Sequence, residues 1–335
     1  MKYDIVTIGD ASEDIFIRPR GLKSEKDRRS GSGKSVTFEL GEKISVKNVD
    51  YAVGGSACNT AIGFSRMGFE TSIIVAVGED YPADKILEKL AESGVDTSNI
   101  IQKSELESHF SVIMSVGSDR TIFVYRGLKD YSLLAPKKSL NPSWFYLGPM
   151  GENISDVHLK IVEKVSEKNV KIAWNPGSHQ IEKKISSYKS LAKNIEVLFV
   201  NKSEAIKFLD LPIGSNGSNL LRKLHTFGPK IVVMTKGIEG AECYDGKKHY
   251  SIESYETELV DVTGAGDAFA TGFMSKILES NQKNIDRDTV EEALKWGIFN
   301  SASVIKKIGA QTGLLNKEEM KDYIEKNPRF VVDIS

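Results

Sequence analysis

Asp261-Val262-Thr263-Gly264-Ala265-Gly266-Asp267-Ala268-Phe269 is the densest chemical signal in this chain. A helically spaced run continues through Gly272, Phe273 and Ile277, so the string joins a loop to a helix. The small residues Gly264, Ala265 and Gly266 let the backbone approach a ligand closely. N–H groups that open a helix point at an anion and add the helix dipole's partial positive charge. Asp267 then projects from the first turn beside that anion hole, where the dipole favours its ionised form. A carboxylate so placed suits a base that accepts a proton from an attacking hydroxyl. Helix-start stabilisation alone would account for the aspartate but poorly for the whole string.

Working outward, short apolar runs read as strands buried on both faces: Ile5–Ile8, Ser72–Val77, Lys171–Trp174, Val197–Val200 and Ile231–Thr235. Helical spacing fills the intervals at Asn59–Met67, Ala83–Ser93, Val157–Lys168 and Asn219–Thr226, then at Asp267–Glu279 and Thr289–Lys306. This alternation predicts an α/β domain with a mostly parallel central sheet covered on both faces. Two stretches alternate polar and apolar residues instead, Ser35–Val53 (Val36, Phe38, Leu40) and Phe110–Tyr125 (Val112, Met114, Val116). Period-two alternation around a turn predicts a half-exposed antiparallel sheet standing beside the main domain, as a lid. We expect one domain over 1–335, with the lid drawn from about 13–53 and 108–128.

The 335 residues are ample for a buried core, and 45 basic against 46 acidic residues leave a net charge of −1. That balance argues against a nucleic acid or an anionic membrane surface as partner. Cys58 and Cys243 lie far apart with no ligand-like spacing to a histidine, which argues against a disulfide framework or zinc site and for a reducing compartment. Met1–Val6 runs straight into a strand-like segment, and no apolar run approaches a membrane span. The expected location is the cytoplasm.

Asp261–Asp267 resembles the C-terminal signature of the ribokinase-like, phosphofructokinase-B family of sugar and nucleoside kinases. Gly54-Gly55-Ser56-Ala57-Cys58-Asn59-Thr60-Ala61, continuing to Arg66-Met67-Gly68, is similar to the family's N-terminal signature, with Met67 where leucine is usual. Asn201-Lys202-Ser203-Glu204 resembles its Asn-x-x-Glu element, and Thr235–Ala241 its nucleotide-side strand and loop. The matches run in family order from Gly9 to Ala310. The resemblance implies a ribokinase-like three-layer α/β sandwich with a small β-sheet lid, and ATP-dependent phosphotransfer to a hydroxyl of a small sugar or nucleoside. It implies Asp267 as base and Gly264, Ala265 and Gly266 as the anion hole. Asn201 and Glu204 would hold Mg²⁺ through water, Thr235 and Gly237 would line ATP, and Asn300 would lie near the adenine. Asp14, Gly54, Gly55, Asn59 and Arg126 would face the substrate. Asp261, Thr263 and the segment Ile308-Gly309-Ala310 match where some members bind K⁺. Lids in this family often pair between subunits, which implies a homodimer.

Several of these residues have plainer alternatives. Asp14 is also an acid in a strand-to-lid loop, Asn59 a plain helix N-cap, and Arg126 a solvent-exposed residue after a strand. Gly148-Pro149-Met150-Gly151 stands where ribokinase would offer ribose a polar contact, which leaves room for a nucleoside, and Arg126 points instead to sugar-acid or ketosugar kinases. Asn175, after Lys171–Trp174, is a ligand contact or a turn residue. Gly31-Ser32-Gly33-Lys34-Ser35 imitates a P-loop, yet Arg28 stands where that motif needs glycine. A dinucleotide oxidoreductase would need Gly-x-Gly-x-x-Gly after the first strand, and Gly9 is followed by Asp10, Ala11 and Ser12. A catalytically silent sugar-binding regulator on the same fold is the rival of a different class; retention of Asp267, Asn201 and Glu204 speaks against it.

Overall fold

Ile5, Val6, Thr7 and Ile8 are all buried, so this strand is covered on both faces and belongs inside a sheet. The computed structural model describes residues 2–27, 34–117, 119–168, 170–212, 217–280 and 285–335. In chain order its first elements are β1 (Ile5–Ile8), β2 (Ser12–Pro19), β3 (Val46–Gly54), α1 (Ser56–Arg66), β4 (Thr71–Ile74) and α2 (Tyr81–Glu92). They are followed by β5 (His109–Val116), β6 (Asp119–Tyr125), β7 (Trp144–Leu147), α3 (Ser155–Lys168), β8 (Lys171–Trp174), β9 (Val197–Asn201), α4 (Lys202–Phe208) and α5 (Gly217–His225). The rest are β10 (Ile231–Thr235), β11 (Ala241–Tyr244), β12 (His249–Ile252), α6 (Ala265–Ser280), α7 (Arg287–Val304), α8 (Lys317–Lys326) and β13 (Asp333–Ile334).

Nine strands form one sheet in the order β13-β12-β11-β10-β9-β8-β7-β1-β4. Pairing is parallel from β4 through β10 and antiparallel from β10 to β13. The pleat sends alternate side chains to opposite faces. Val6, Ile8, Phe145, Leu147 and Trp174 pack with Val157 and Ile161 of α3, Phe208 of α4 and Leu220 of α5. Ile5, Tyr146, Ala173 and Phe199 pack on the other side with Phe273 and Ile277 of α6 and Leu294 of α7. This is the three-layer ribokinase-like α/β sandwich. The parallel strands end together near Asp10, Gly148, Asn201 and Thr235, and crevices at carboxyl ends of such strands are where ligands bind.

A second sheet, in the order β6-β5-β2-β3, stands at that edge. Its composition differs from the expected one. Ser35–Val53 contributes only Val46–Gly54, while Phe38 and Leu40 are exposed outside any strand. The β2–β3 ladder slips between Ile17 and Pro19 and ends at the pair Pro19–Val46, since proline has no N–H to extend it. The central strand is instead β2, a stretch expected to be a connecting loop. Register sets two faces: Asp14 lies level with Ala52 and Ser111, and Phe16 with Asp50 and Ile113. On the opposite face Ile15, Tyr51, Val112 and Phe123 form one row across all four strands.

Behind the edge, Asn300 is fully buried on α7. Its amide donates to the Ala268 carbonyl at 2.7 Å and its carbonyl oxygen accepts from the Leu315 N–H at 2.9 Å. Both groups tie α6 and the 315 segment to α7, so Asn300 acts as a buried clamp between them. Each buried group left unpaired costs roughly 1–3 kcal/mol, so Asn300→Ala is expected to lower the thermal midpoint markedly. Nucleotide affinity of the folded variant, measured by calorimetry, is expected to stay at the wild-type value; a selective loss of nucleotide would return Asn300 to the site.

Candidate active site

Gly264 takes φ 74 and sits where a Cβ would come within 2.3 Å of the Ala310 methyl, so only glycine permits this turn to press against the 308–310 segment. The turn delivers the chain into α6. Around Gly266 there is open space, and Asp267 follows in the first helical turn. The Ser56 hydroxyl donates to Asp267 Oδ1 at 2.5 Å, and the Asn59 amide donates to Oδ2 at 2.8 Å. The Gln311 amide donates to Asn59 Oδ1 at 2.9 Å and to the Val53 carbonyl at 2.8 Å, which fixes the orientation of the Asn59 side chain. Asn59 is therefore a ligand of the carboxylate and no N-cap, since Gly55 precedes α1 at that position. Burial pushes the Asp267 carboxyl above the usual carboxylate range, while Asn59 and Ser56 pull it back. Lost hydration thus outweighs the two hydrogen bonds in setting the direction of the shift.

Three further carboxylates crowd the same edge. Asp14 is buried, accepts from the Ser12 hydroxyl at 3.1 Å and lies over Gly54, where a Cβ would meet its Oδ2 at 2.0 Å. Burial raises its pKa, and the charges of Asp261 and Asp267 raise it further. Gly55, at φ 87, lets the chain pass within van der Waals reach of the Asp10 backbone. Asp10 was missed in the sequence; its Oδ1 accepts from the Tyr131 hydroxyl at 2.5 Å and lies 3.8 Å from His109 Nδ1. His109 Nε2 accepts the Leu128 N–H at 3.1 Å, so in the neutral ring Nδ1 carries the proton and faces Asp10. Burial raises the Asp10 pKa, while the charge of His109 and the Tyr131 hydrogen bond oppose the shift, with a smaller opposing effect from the charge of exposed Arg126. The available signal was position alone: Asp10 ends the exit from β1 at the carboxyl edge of a parallel sheet.

Asn201 and Glu204 meet as a capping box: the Glu204 N–H donates to Asn201 Oδ1 at 2.9 Å, and the Asn201 N–H to Glu204 Oε2 at 2.8 Å. Burial raises Glu204, and Asp267 is among the charges that raise it, so the two carboxylates are within electrostatic reach. The Tyr146 hydroxyl is buried with no hydrogen-bond partner among the described residues, and burial raises its pKa, with the charges of Asp267 and Glu204 adding to the shift. Thr235 is level with Asn201 on the neighbouring strand, and Gly237 turns at φ 60 into open space. Asn175 donates to the Phe199 carbonyl of β9 at 3.1 Å.

Residues 32–317 match the pfkB family carbohydrate kinase pattern. The chain belongs to the pfkB family of carbohydrate kinases. An ATP-dependent 6-phosphofructokinase of Thermoanaerobacterium thermosaccharolyticum is 25% identical over 337 residues, spanning 96% of this chain and 93% of that one. A cytidine kinase of Thermococcus kodakarensis is 24% identical over 311 residues, 91% of this chain and 97% of that one. The ribokinase of Arabidopsis thaliana, solved with ribose and ATP, superposes with a TM-score of 0.78 at 19% identity over 97% of this chain and 99% of that one.

In this pfkB-family kinase the loop before the Gly264 turn is braced from behind. Asp261 Oδ1 accepts from the Thr263 N–H at 3.0 Å and its hydroxyl at 2.7 Å, and Oδ2 accepts from the Gly309 N–H at 3.0 Å. An arginine of the small sheet, Arg120, places a guanidinium nitrogen 3.6 Å from Oδ1. Of the imitation P-loop, 31–33 lie outside the described residues, and Lys34–Ser35 pairs with Glu25–Lys26. A group that must be ionised to accept a proton works above its pKa and fails as pH falls through it. Asn59→Ala removes a donor that favours the ionised form, so the acid limb of kcat/KM is expected to move to higher pH than in the wild type. A pH–rate profile checks this, and an unmoved limb would separate Asn59 from the ionisation of Asp267.

Proposed function

We propose that Asp267 takes the proton from a hydroxyl of a small sugar or nucleoside as the γ-phosphoryl group of ATP passes to that oxygen. One observation carries this reading: a half-buried aspartate whose carboxylate is held from both sides by Ser56 and Asn59 stands in the first turn of the helix opened by Gly264, Ala265 and Gly266. N–H groups and dipole at that helix start suit the transferring phosphoryl, and the raised pKa of Asp267 makes it a better proton acceptor than an exposed aspartate. Asp14, Gly54, Gly55 and Asn59 form the substrate side, with Arg126 joining through Asp10. Hydroxyls of the acceptor are natural partners for these carboxylates. Thr235 and Gly237 form the nucleotide side, as open backbone at the end of β10.

Mg²⁺ fits the residues present. Burial raises the pKa of Glu204 and the charge of Asp267 raises it further, and among the described residues no three acidic, histidine or cysteine side chains form a closed metal cage. A hard cation that keeps most of its waters and leans on Glu204 and the nucleotide matches that arrangement. When bound it would neutralise charge developing on the phosphates. K⁺ at Asp261 and Thr263 would share a carboxylate that already takes three hydrogen bonds and faces Arg120. Equal rates in potassium and tetramethylammonium chloride would remove it from the reading.

We read residues 1–335 as one kinase domain and the small sheet, from about 13–53 and 108–128, as its lid. Its outer face exposes Tyr51, Phe123, Val49 and Phe110, an apolar surface that a second lid in a homodimer would cover. A monomer in sedimentation at micromolar concentration would end the dimer proposal. No helix among the described residues is long and apolar enough to cross a membrane. Both cysteines are buried and unpaired, which supports the reducing cytoplasm as the compartment.

Asp267→Asn is expected to lose on the order of 10²–10⁴ in kcat with little change in nucleotide affinity, read by ADP release across a panel of sugars, sugar acids and nucleosides. Near-normal turnover in that variant would sink the assignment, and a wild type silent on the whole panel would favour a binding regulator. Glu204→Ala is expected to raise the Mg²⁺ concentration needed for half-maximal rate; an unchanged dependence would leave Glu204 with only its capping role.

A further inference from the structure

Ser56 brings a primary hydroxyl, the functional group of a sugar acceptor, to the base itself. It is the first residue of α1, half-buried, and its O–H donates to Asp267 Oδ1 at 2.5 Å. One turn further along α1, Asn59 holds the other carboxylate oxygen, so the carboxylate is turned with Oδ1 on the serine. The starts of α1 and α6 therefore meet at this hydrogen bond, and both dipoles present their positive ends to whatever anion lies there. A nucleophilic oxygen within hydrogen-bond reach of a base, beside a phosphoryl site, has the geometry of an activated acceptor. Asn59, Asp14 and the 264–266 turn have their parts in the reaction above; the Ser56 hydroxyl has none there beyond donating a hydrogen bond.

We propose that, with MgATP bound and no acceptor present, the chain phosphorylates its own Ser56. The inference rests on the reading of Asp267 as base and of the 264–266 turn as the phosphoryl site. Ser56 Oγ forms a bond to the γ-phosphorus while the bond from that phosphorus to the β–γ bridging oxygen breaks. ADP leaves with the bond's electron pair, and the serine proton passes to Asp267 Oδ1 and then to solvent. A true acceptor competes by taking the place of the Ser56 hydroxyl on Oδ1. Because Ser56 is anchored in a helix and cannot align freely, its modification is expected to run at least about 10³-fold slower than transfer to a well-placed acceptor. The product places a phosphate among Asp267, Asp14 and the glycine turn, which blocks the acceptor position and silences the chain.

The test incubates the full-length chain with γ-labelled ATP and Mg²⁺ without acceptor, then maps the label by fragment mass spectrometry. The expected result is slow, acid-stable incorporation approaching one phosphoryl group per chain, on Ser56. Ser56→Ala and Asp267→Asn are expected to fall to background, with nucleotide binding by thermal shift confirming that each variant is folded. An acceptor that is turned over is expected to slow the labelling. ADP release with no protein-bound phosphate is transfer to water and overturns the proposal, as does label that persists in Ser56→Ala. Turnover of an acceptor with Ser56 unlabelled overturns this proposal alone, whereas absence of both label and turnover also overturns the reading of Asp267.

Discussion

The site depends on one contact, the pair of hydrogen bonds by which Ser56 and Asn59 grip the carboxylate of Asp267. They join segments 211 and 208 residues apart in the chain. Neither helix could present its polar first turn to the other unless both were packed already. Thr271 of α6 crowds Gly63 of α1 closely enough that a Cβ there would meet its methyl at 2.6 Å. Gly272 meets the Trp296 carbonyl of α7 at 2.4 Å in the same sense. Close helix approach through small residues thus sets the spacing, and the hydrogen bonds then decide which way the carboxylate faces.

That arrangement concentrates negative charge. Asp10, Asp14, Glu204 and Asp267 are all shifted upward by burial, and the charge of Asp267 raises Asp14 and Glu204 further. Such a cluster is costly in an empty cleft and becomes favourable when ligand hydroxyls donate to it and a cation sits beside it. Within it the charge of Asp267 acts on both Asp14 and Glu204. Arg120 and Arg126, both from the small sheet or its end, are the arginines whose charge acts on the cluster, through Asp261 and Asp10. The small sheet therefore contributes electrostatics as well as cover.

The two faces of that sheet show why it was only half legible. Period-two alternation identified Phe110–Tyr125 because its two strands are adjacent in sequence and pair with each other. The same pattern in Val36–Leu40 misled, since alternation does not say whether a partner strand is in reach, and the ladder had ended at Pro19. Conversely β2 carries Ile15, Phe16 and Ile17 in a row, so its apolar residues fall on both faces of the sheet and no alternation marks it.

By itself the sequence determined the layered α/β core, because its strands are continuous apolar runs whose burial on both faces is dictated by composition. It also determined Asp267 and the 264–266 turn, where small residues and an acid at a helix start carry their chemistry in adjacent positions. The tertiary structure alone decided what depends on long-range approach. It placed Asp10 with Tyr131 and His109, turned Ser56 onto the base, and consumed both groups of Asn300 in a buried clamp. It also reversed the balance on Asp267, since the hydration that a carboxylate loses is set by neighbours from opposite ends of the chain. No local pattern records that loss, because burial belongs to the packed molecule and not to any stretch of it.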